Sequence, residues 1–231
     1  MSELRQGRSD EMVDDMRSAL RILREAEGVV EESTVRRALE RLGIRFPRWT
    51  LLPRGEGEVA LTYPLVVKVS SPAVLHKSDA GGVRVGIRDE AELKEALEEM
   101  RGRFPGENII VEEMAPGRAE MIVGFKNHPD YGHIAMVGVG GFLAELYRDV
   151  VFRACPLTER EVELAVEELR GRDLLYGYRG LEVDKEDFFR TVSILSRFAL
   201  ELGERLEGMD LNPIILNKDG AWAVDVKMIL K

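Results

Sequence analysis

One histidine of the chain stands in a loop whose composition suits phosphoryl chemistry. His76 is followed by Lys77 and Ser78, and then by the pair Gly81–Gly82. A neutral imidazole can attack phosphorus, and cations together with backbone N–H groups would stabilise the resulting phosphohistidine. Histidines near loops also serve as structural residues or as general bases. The residues alone therefore leave three interpretations of His76 open.

A lysine precedes this loop inside an apolar, β-branched run. Lys68 lies in the sequence VVKVSS, which is typical of a strand, and a buried ammonium group is costly unless an anion meets it. A nucleotide phosphate would be such an anion. The alternative is an edge strand on which the lysine is solvated.

The end of the chain predicts a hairpin that brings two metal-binding residue types together. A two-residue turn at Lys218–Asp219 places Asn212 opposite Asp225, and it places Asp210 opposite Lys227. Directly opposed side chains are about 5 Å apart at Cβ, so an Asn carbonyl and an Asp carboxylate could share one Mg²⁺ ion. Alternatively, Asn212 caps its strand and Asp225 accepts an ordinary hydrogen bond.

Three carboxylates flank a short connection between two further strand-like runs. Glu112 and Glu113 end the run NIIVEEM, and Glu120 opens the run AEMIVGF. A strand whose backbone pairs with adenine, followed by a carboxylate for ribose hydroxyls, would have this pattern. A solvated strand end would have it as well.

Composition restricts the class of protein and its surroundings. The chain has 231 residues, 45 % of them hydrophobic, with a formal net charge of -9 and one cysteine, Cys155. Such a charge argues against nonspecific binding to nucleic acid or a membrane surface. The start of the sequence lacks the apolar centre of a signal peptide, and a lone cysteine suits a reducing compartment. We therefore expect a cytoplasmic protein in which Cys155 is a packing residue.

The remaining pattern predicts an α+β protein. Strand-like runs come largely in succession rather than alternating with helices, which disfavours a doubly wound sheet, and no P-loop is present. Helices are expected before about residue 26 and after the N-caps Ser33, Asp89 and Thr158. The final strands are expected to be LNPIIL and AWAVDV.

Taken together, these motifs resemble the ATP-grasp fold, and more closely the nucleotide-binding (β) subunits of the ADP-forming acyl-CoA synthetases, typified by ADP-forming acetyl-CoA synthetase. The resemblance covers nearly the whole chain. It rests on four stretches in order, PLVVKVSSPAVLHKSDAGGVRVGI, VEEMAPGRAEMIVGF, GVGGFLAELYRDVVFRACPLT and DLNPIIL…AWAVDVK.

The resemblance implies a role for each candidate residue. His76 would be the catalytic phosphoryl carrier, and Asn212 and Asp225 would be the magnesium ligands. The residues implied for nucleotide (ATP/ADP) binding are Lys68 at the phosphates, Glu112, Glu113, Met114 and Ala115 at adenine, Glu120 at the ribose, and Arg153 with Gly138, Gly140 and Gly141 near the phosphates.

The resemblance also implies an organisation and a partner. An N-terminal helical extension (1–26) would precede an ATP-grasp domain (27–231), whose two α/β subdomains (27–110 and 111–231) would enclose a nucleotide cleft. A separate CoA-binding α subunit would complete an α2β2 synthetase. Two alternatives are a noncatalytic nucleotide-sensing subunit and a stand-alone ATP-grasp carboxylate ligase. The acyl substrate, the choice between ADP and GDP, and the role of the N-terminal helix are not specified by the sequence.

Two departures from the family pattern limit what carries over. Gly208 and Met209 stand where the family has an acidic residue before the DLNP segment, and YGH at residues 131–133 replaces FGP. His133 therefore inherits no role. We expect His128 and His133 to be surface-loop residues.

Overall fold

The computed structural model of the protein describes residues 2–74, 76–141 and 148–231, with side chains from residue 11 onwards. The chain forms two compact units. The seven-stranded unit contains Met1–Val30, Thr34–Arg45 and Pro116–Lys231, and the four-stranded unit contains Glu31–Ser33 and Phe46–Ala115. The domain boundaries expected from the sequence remain predictions.

The regular elements of the described residues follow one another along the chain. They are α1 (Ser2–Ile22), β1 (Gly28–Val30), α2 (Glu32–Arg41), β2 (Trp49–Leu52), β3 (Leu65–Ser70), β4 (Val83–Ile87), α3 (Glu90–Arg103), β5 (Asn108–Glu113), β6 (Ala119–His128), β7 (Gly132–Val139), β8 (Val150–Ala154), α4 (Glu159–Glu167), α5 (Lys185–Leu202), β9 (Leu206–Asn217), β10 (Gly220–Ala223) and β11 (Val226–Leu230).

The four-stranded unit is an antiparallel sheet in the order β2-β5-β3-β4. Helix α3 packs on this sheet, and Leu65, Val67, Leu93 and Met100 belong to the core between them. The Asp89 carboxylate caps α3 by accepting a hydrogen bond from the backbone N–H of Glu92 at 2.9 Å, as predicted. Strand β3 lies between β5 and β4 and is therefore an interior strand.

The seven-stranded unit is built on the order β1-β11-β9-β6-β7-β8, with β10 paired to β9. Helices α4 and α5 pack against each other and against strands of this sheet. Thr158 caps α4 through a capping box with Glu161, which agrees with the sequence prediction. Among the described residues, no helix is both long and apolar enough to cross a membrane.

The predicted C-terminal hairpin forms in the expected register. Asn217 pairs with Gly220 across the two-residue turn, and further along the same ladder Asp210 pairs with Lys227. The run AWAVDV was expected to be one strand, but β10 ends at Ala223 and β11 begins only at Val226. The break leaves Asp225 between two strands, although its backbone oxygen still accepts from the Asn212 N–H at 3.3 Å.

A proline explains this break. Val224 N–H donates to the Pro213 carbonyl at 3.2 Å, but Pro213 has no N–H to return the bond. The buried guanidinium of Arg36 instead donates to the Val224 carbonyl at 2.9 Å. A side chain from α2 thus replaces the donor that the ladder lacks.

Two other local expectations need correction. Helix α2 begins at Glu32, so Ser33 is inside its first turn rather than its N-cap, and the Ser33 hydroxyl donates to the Glu31 carboxylate at 3.1 Å. His128 and His133 are half-buried strand residues on β6 and β7 rather than loop residues. The two strands extend further than their apolar runs indicate. A ring nitrogen of His133 lies 3.0 Å from the Gly203 carbonyl oxygen.

Candidate functional site

The four-stranded unit contains a buried cluster of opposite charges around Lys68. Lys68 is 4 % exposed on interior strand β3, so the edge-strand alternative does not hold. Its Nζ lies 2.6 Å from Oε1 of Glu112 and 3.5 Å from Oε1 of Glu32. Both glutamates are buried as well. Within the protein, two carboxylates therefore provide the negative charge that a buried lysine requires.

The candidate histidine is exposed in the loop that connects β3 to β4. Its carbonyl accepts from the Ala80 N–H at 3.0 Å, and the Lys77 carbonyl accepts from the Gly82 N–H at 2.6 Å. A Cβ on Gly82 would lie only 2.6 Å from Cγ1 of Val69, so the close return of this loop requires glycine. The imidazole of His76 is therefore presented to solvent by a tightly turned backbone.

Lys77, the residue after the histidine, is tied to the buried cluster. Its ammonium group donates to Oε2 of Glu32, whose other carboxylate oxygen faces Lys68. Glu32 was not singled out by sequence reasoning. Glu32 is in the first turn of an amphipathic helix, where acidic residues are common. Nothing in the local sequence indicates that it contacts a lysine on a distant strand.

The predicted adenine segment leaves the four-stranded sheet at the end of β5. Glu112 is turned towards Lys68, whereas the Glu113 carboxylate accepts from Arg48 at 3.0 Å and from the Thr62 N–H at 2.9 Å. Met114 is exposed and Ala115 is buried, and the chain passes into the seven-stranded unit at Pro116. The segment 112–115 therefore comprises the end of β5 and the last residues of the four-stranded unit, and its role towards adenine remains a prediction.

In the seven-stranded unit, Glu120 lies beside two of the predicted glycines. The Gly140 N–H donates to the Glu120 carbonyl at 2.6 Å, and a Cβ on Gly140 would be 2.9 Å from the Glu120 carbonyl carbon. A Cβ on Gly141 would be 3.2 Å from Oε2 of Glu120. Residues 142–147, which complete this motif in the sequence, lie outside the described residues.

The proposed metal pair has a carboxylate neighbour, Asp210, which the sequence placed opposite Lys227 but not among the metal-binding residues. Asp210 lies two residues before Asn212, and therefore on the same face of β9. Burial raises the pKa of the Asp210 carboxyl, the charge of Asp225 raises it further, and Lys227 lowers it. The Asp225 carboxylate is therefore close enough to Asp210 for the two charges to interact. The alternation of side chains along a strand could have identified Asp210 as a neighbour of Asn212 from the sequence.

An open apolar cavity of about 450 Å³ adjoins this group on the same sheet face. Met136, Phe152, Asp210 and Lys227 contribute to its lining. Arg153 follows Phe152 on β8 and so points to the opposite face, where it donates to the Glu168 carboxylate at 2.5 Å. The structure therefore does not group Arg153 with Asp210, and its predicted phosphate contact remains a prediction.

Comparison with known proteins identifies the family. The family model for the ATP-grasp domain matches residues 21–230. The β subunit of acetate–CoA ligase (ADP-forming) I from Pyrococcus furiosus is 34 % identical over 211 residues, which are 86 % of this chain and 90 % of that subunit. The chain therefore belongs to the ATP-grasp family, in the group that includes the β subunits of ADP-forming acetate–CoA ligases.

Another relative is considerably longer than this protein. Acetate–CoA ligase (ADP-forming) I of Archaeoglobus fulgidus is 38 % identical over 178 residues, which are 74 % of this chain but 26 % of that protein. The chain thus spans about a quarter of that relative's length.

Solved structures agree with the family assignment. Acetyl-coenzyme A synthetase 1 of Candidatus Korarchaeum cryptofilum, described as dinucleotide forming and solved with coenzyme A, Ca-AMPCP and HgCl⁺, matches with a TM-score of 0.81. The identity is 34 %, and the match covers 92 % of this chain and 97 % of that one. Another structure of that enzyme holds Mg-AMPPCP, with its phosphohistidine segment pointing towards the nucleotide-binding site. The expected family and ATP-grasp fold are confirmed.

Proposed function

We propose that the chain is the nucleotide-binding β subunit of an ADP-forming acyl-CoA synthetase, of the acetate–CoA ligase type. Together with a separate α subunit, it would catalyse the reversible reaction acyl-CoA + ADP + phosphate = carboxylic acid + ATP + CoA. A separately encoded β subunit of nearly the same extent in Pyrococcus furiosus supports this division of labour.

The observation that carries the proposal is the position of His76. It is exposed, and its loop follows strand β3, which contains the buried Lys68. Exposure suits a residue that must receive a phosphoryl group from elsewhere and deliver it to a nucleotide. The Korarchaeum enzyme supports this role, since its phosphohistidine segment points towards the nucleotide-binding site in one structure.

The phosphoryl step balances on this chain's own residue. A ring nitrogen of phosphorylated His76 would give up its phosphoryl group to a terminal phosphate oxygen of ADP. The P–N bond breaks, a P–O bond forms, and the ring nitrogen recovers its electron pair. Lys68 would bind the nucleotide phosphates and lower the cost of bringing these negative charges together.

The other nucleotide contacts are assigned by the family resemblance. Residues 112–115 would hold adenine, and Glu120 would accept hydrogen bonds from the ribose hydroxyls. Asn212 and Asp225 would hold Mg²⁺. Their oxygen donors suit this cation, and the mutual repulsion of Asp225 and Asp210 is what a bound cation would relieve. When bound, Mg²⁺ would neutralise phosphate charge.

The partner would be a CoA-binding α subunit, within an α2β2 assembly in the cytoplasm. The β-subunit naming of the Pyrococcus relatives supports the existence of a partner. The acyl pocket and the CoA site would both be on α, so the choice of acid would be made there.

The test is a phosphorylation assay on wild-type protein and the variant His76→Ala, with radiolabelled ATP and Mg²⁺, each with and without α. His128→Ala is the control, because His128 is a histidine at the end of β6 in the seven-stranded unit, whereas His76 is in a loop of the four-stranded unit. We expect acid-labile label on wild type and on His128→Ala, and none on His76→Ala.

Other outcomes would favour the alternatives. Nucleotide binding without any label in the presence of α would replace the relay by a nucleotide-sensing role. Formation of an amide from a carboxylic acid and an amine, without α and independent of His76, would indicate a stand-alone ligase.

A further inference from the structure

We propose that Glu32 is a positioning residue that couples the nucleotide-binding lysine to the histidine loop. The inference rests on the proposed function, in which Lys68 meets the nucleotide phosphates and His76 carries the phosphoryl group. Glu32 would make the order of the loop depend on whether a nucleotide occupies Lys68.

The geometry that carries this proposal is a single carboxylate between two lysines. Oε1 of Glu32 is 3.5 Å from Nζ of Lys68, and Oε2 accepts a hydrogen bond from Nζ of Lys77. The Glu32 side chain is 3 % exposed, and the side chains of Lys68 and Lys77 are 5 % and 12 % exposed. Burial reduces screening by water, so a change of charge at one lysine is felt strongly at the other end of the carboxylate.

The sequence position of Lys77 turns this contact into a link with the chemistry. Lys77 directly follows His76, and its carbonyl accepts the Gly82 N–H that closes the loop. Holding the Lys77 side chain therefore restrains the backbone that directly follows the histidine carrier. Lys68 is on the strand that enters the loop, and it also faces Glu112 at 2.6 Å.

The electrostatic consequence follows from competition for Lys68. A nucleotide phosphate near Lys68 adds negative charge and draws the ammonium group towards itself. The attraction between Lys68 and Glu32 then weakens, and Glu32 is left to interact more strongly with Lys77. The coupling is reciprocal: if bound nucleotide favours the ordered loop, the ordered loop raises the affinity for nucleotide by the same factor.

The neighbouring glutamate provides a matched comparison. Glu31 accepts hydrogen bonds from neutral groups, namely the hydroxyls of Ser33 and Ser70 and the side-chain amide of Asn108, at 3.0 to 3.1 Å. Both glutamates are at the start of the same helix, so a general effect on the helix terminus applies to both. Only Glu32 faces the two lysines in these contacts.

The experiment compares Glu32→Gln, Lys77→Met and Glu31→Gln with wild type in the full chain. Three quantities are measured: hydrogen exchange of the loop amides of residues 77–82 with and without Mg-ADP, the affinity for ADP, and the rate of His76 labelling with α present. Lys77→Met removes the loop end of the link and leaves Glu32 facing Lys68, so it serves if Glu32→Gln does not fold.

In wild type, we expect Mg-ADP to slow exchange of the loop amides. Glu32→Gln and Lys77→Met should abolish this response, and they should slow labelling about tenfold or more, which is a coupling of ordinary size. ADP affinity should change much less than labelling in Glu32→Gln, because loss of the coupling weakens ADP binding while removal of a negative charge near the phosphate site strengthens it. Glu31→Gln should keep the exchange response.

Several results would overturn the proposal. One is an unchanged exchange response in Glu32→Gln or Lys77→Met, and another is loss of ADP affinity in parallel with labelling, as general loosening would cause. Equal effects of Glu31→Gln and Glu32→Gln would do the same. The exchange readout needs no phosphohistidine, so absence of label from wild type would refute the proposed function separately.

Discussion

The two units differ in how their charged side chains are arranged. In the four-stranded unit, Lys68 is buried against Glu112 and Glu32, so each charge has a counterion within the protein. In the seven-stranded unit, burial and the charge of Asp225 raise the pKa of Asp210, and Lys227 lowers it. One unit pairs opposite charges in its core, whereas the other places two carboxylates near Lys227.

This difference indicates how each unit would respond to a ligand. A balanced cluster can exchange one partner for another with little change in total charge, and it suffers most when a member is removed. A group of like charges gains stability from an added cation and loses little when one charge is removed. Experiments on the two units should therefore give opposite signs.

The largest effect is expected for Lys68→Met. Removing the ammonium group leaves Glu32 and Glu112 buried without it, and breaking a buried ion pair from one side costs about 3–5 kcal/mol. We expect a loss of this size in the free energy of unfolding in urea, together with loss of ADP binding. Lys94→Met, at an exposed position on α3, is the control and should behave as wild type. A stable Lys68→Met variant would show that the balanced cluster contributes little.

A smaller loss of stability is expected for Arg36→Met. Arg36 is fully buried and donates to the Val224 carbonyl at 2.9 Å, and a hydrogen bond from a charged group contributes about 1.5–3 kcal/mol. The same change should weaken Mg²⁺ binding, because Val224 immediately precedes Asp225. Urea unfolding and a Mg²⁺ titration would measure the two effects. The exposed neighbour Arg37 provides the control variant Arg37→Met, and equal losses in both variants would refute this role.

The acidic group should respond in the opposite direction to the lysine cluster. We expect Asp225→Asn to lower the apparent Mg²⁺ affinity in nucleotide binding about tenfold, or about 1.4 kcal/mol. The free energy of unfolding should stay the same or rise, since the repulsion of Asp210 is relieved. Asp219→Asn changes an exposed aspartate in the turn of the same hairpin and should leave the Mg²⁺ titration unchanged. Destabilisation by Asp225→Asn would break the contrast between the units.

The smallest effect concerns Cys155. Burial raises the pKa of this thiol to about 11. Because the thiolate is the reactive form, its smaller fraction at pH 8 should slow alkylation roughly two-hundredfold relative to a free cysteine of pKa about 8.5. The rate should rise as pH approaches 11. The same chain in urea is the control, and rapid alkylation of the folded protein at pH 8 would contradict the inert packing role.

Local sequence rules predicted the parts of the site that depend on neighbours in the chain. The turn residues NKDG fixed the register that brings Asn212 to Asp225, and Asp89 and Thr158 were correctly identified as caps. The apolar flanks of Lys68 left burial and a solvated edge strand open, and the structure decides for burial. These features depend on turn chemistry and strand period, which are readable over a few residues.

The missed features depend on contacts between distant segments. Glu32 meets Lys68 and Lys77, and Arg36 meets Val224, each across a separation that no periodic pattern reports. Both belong to α2, where the sequence indicated only an amphipathic helix with a serine cap. A charged residue such as Arg36 beside the apolar positions Val35 and Leu39 was the available signal, and it does not name a partner.

The bond from Arg36 to Val224 has a consequence for the comparison of homologous sequences. The arginine supplies a donor only because Pro213 cannot, so a residue with its own N–H at position 213 would compete for the same carbonyl oxygen. Substitutions at positions 36 and 213 should therefore be statistically correlated across the family. Relatives that lack the proline should tolerate an apolar residue at position 36. An alignment of the family would therefore show the effect of this hydrogen bond as covariation of the two positions.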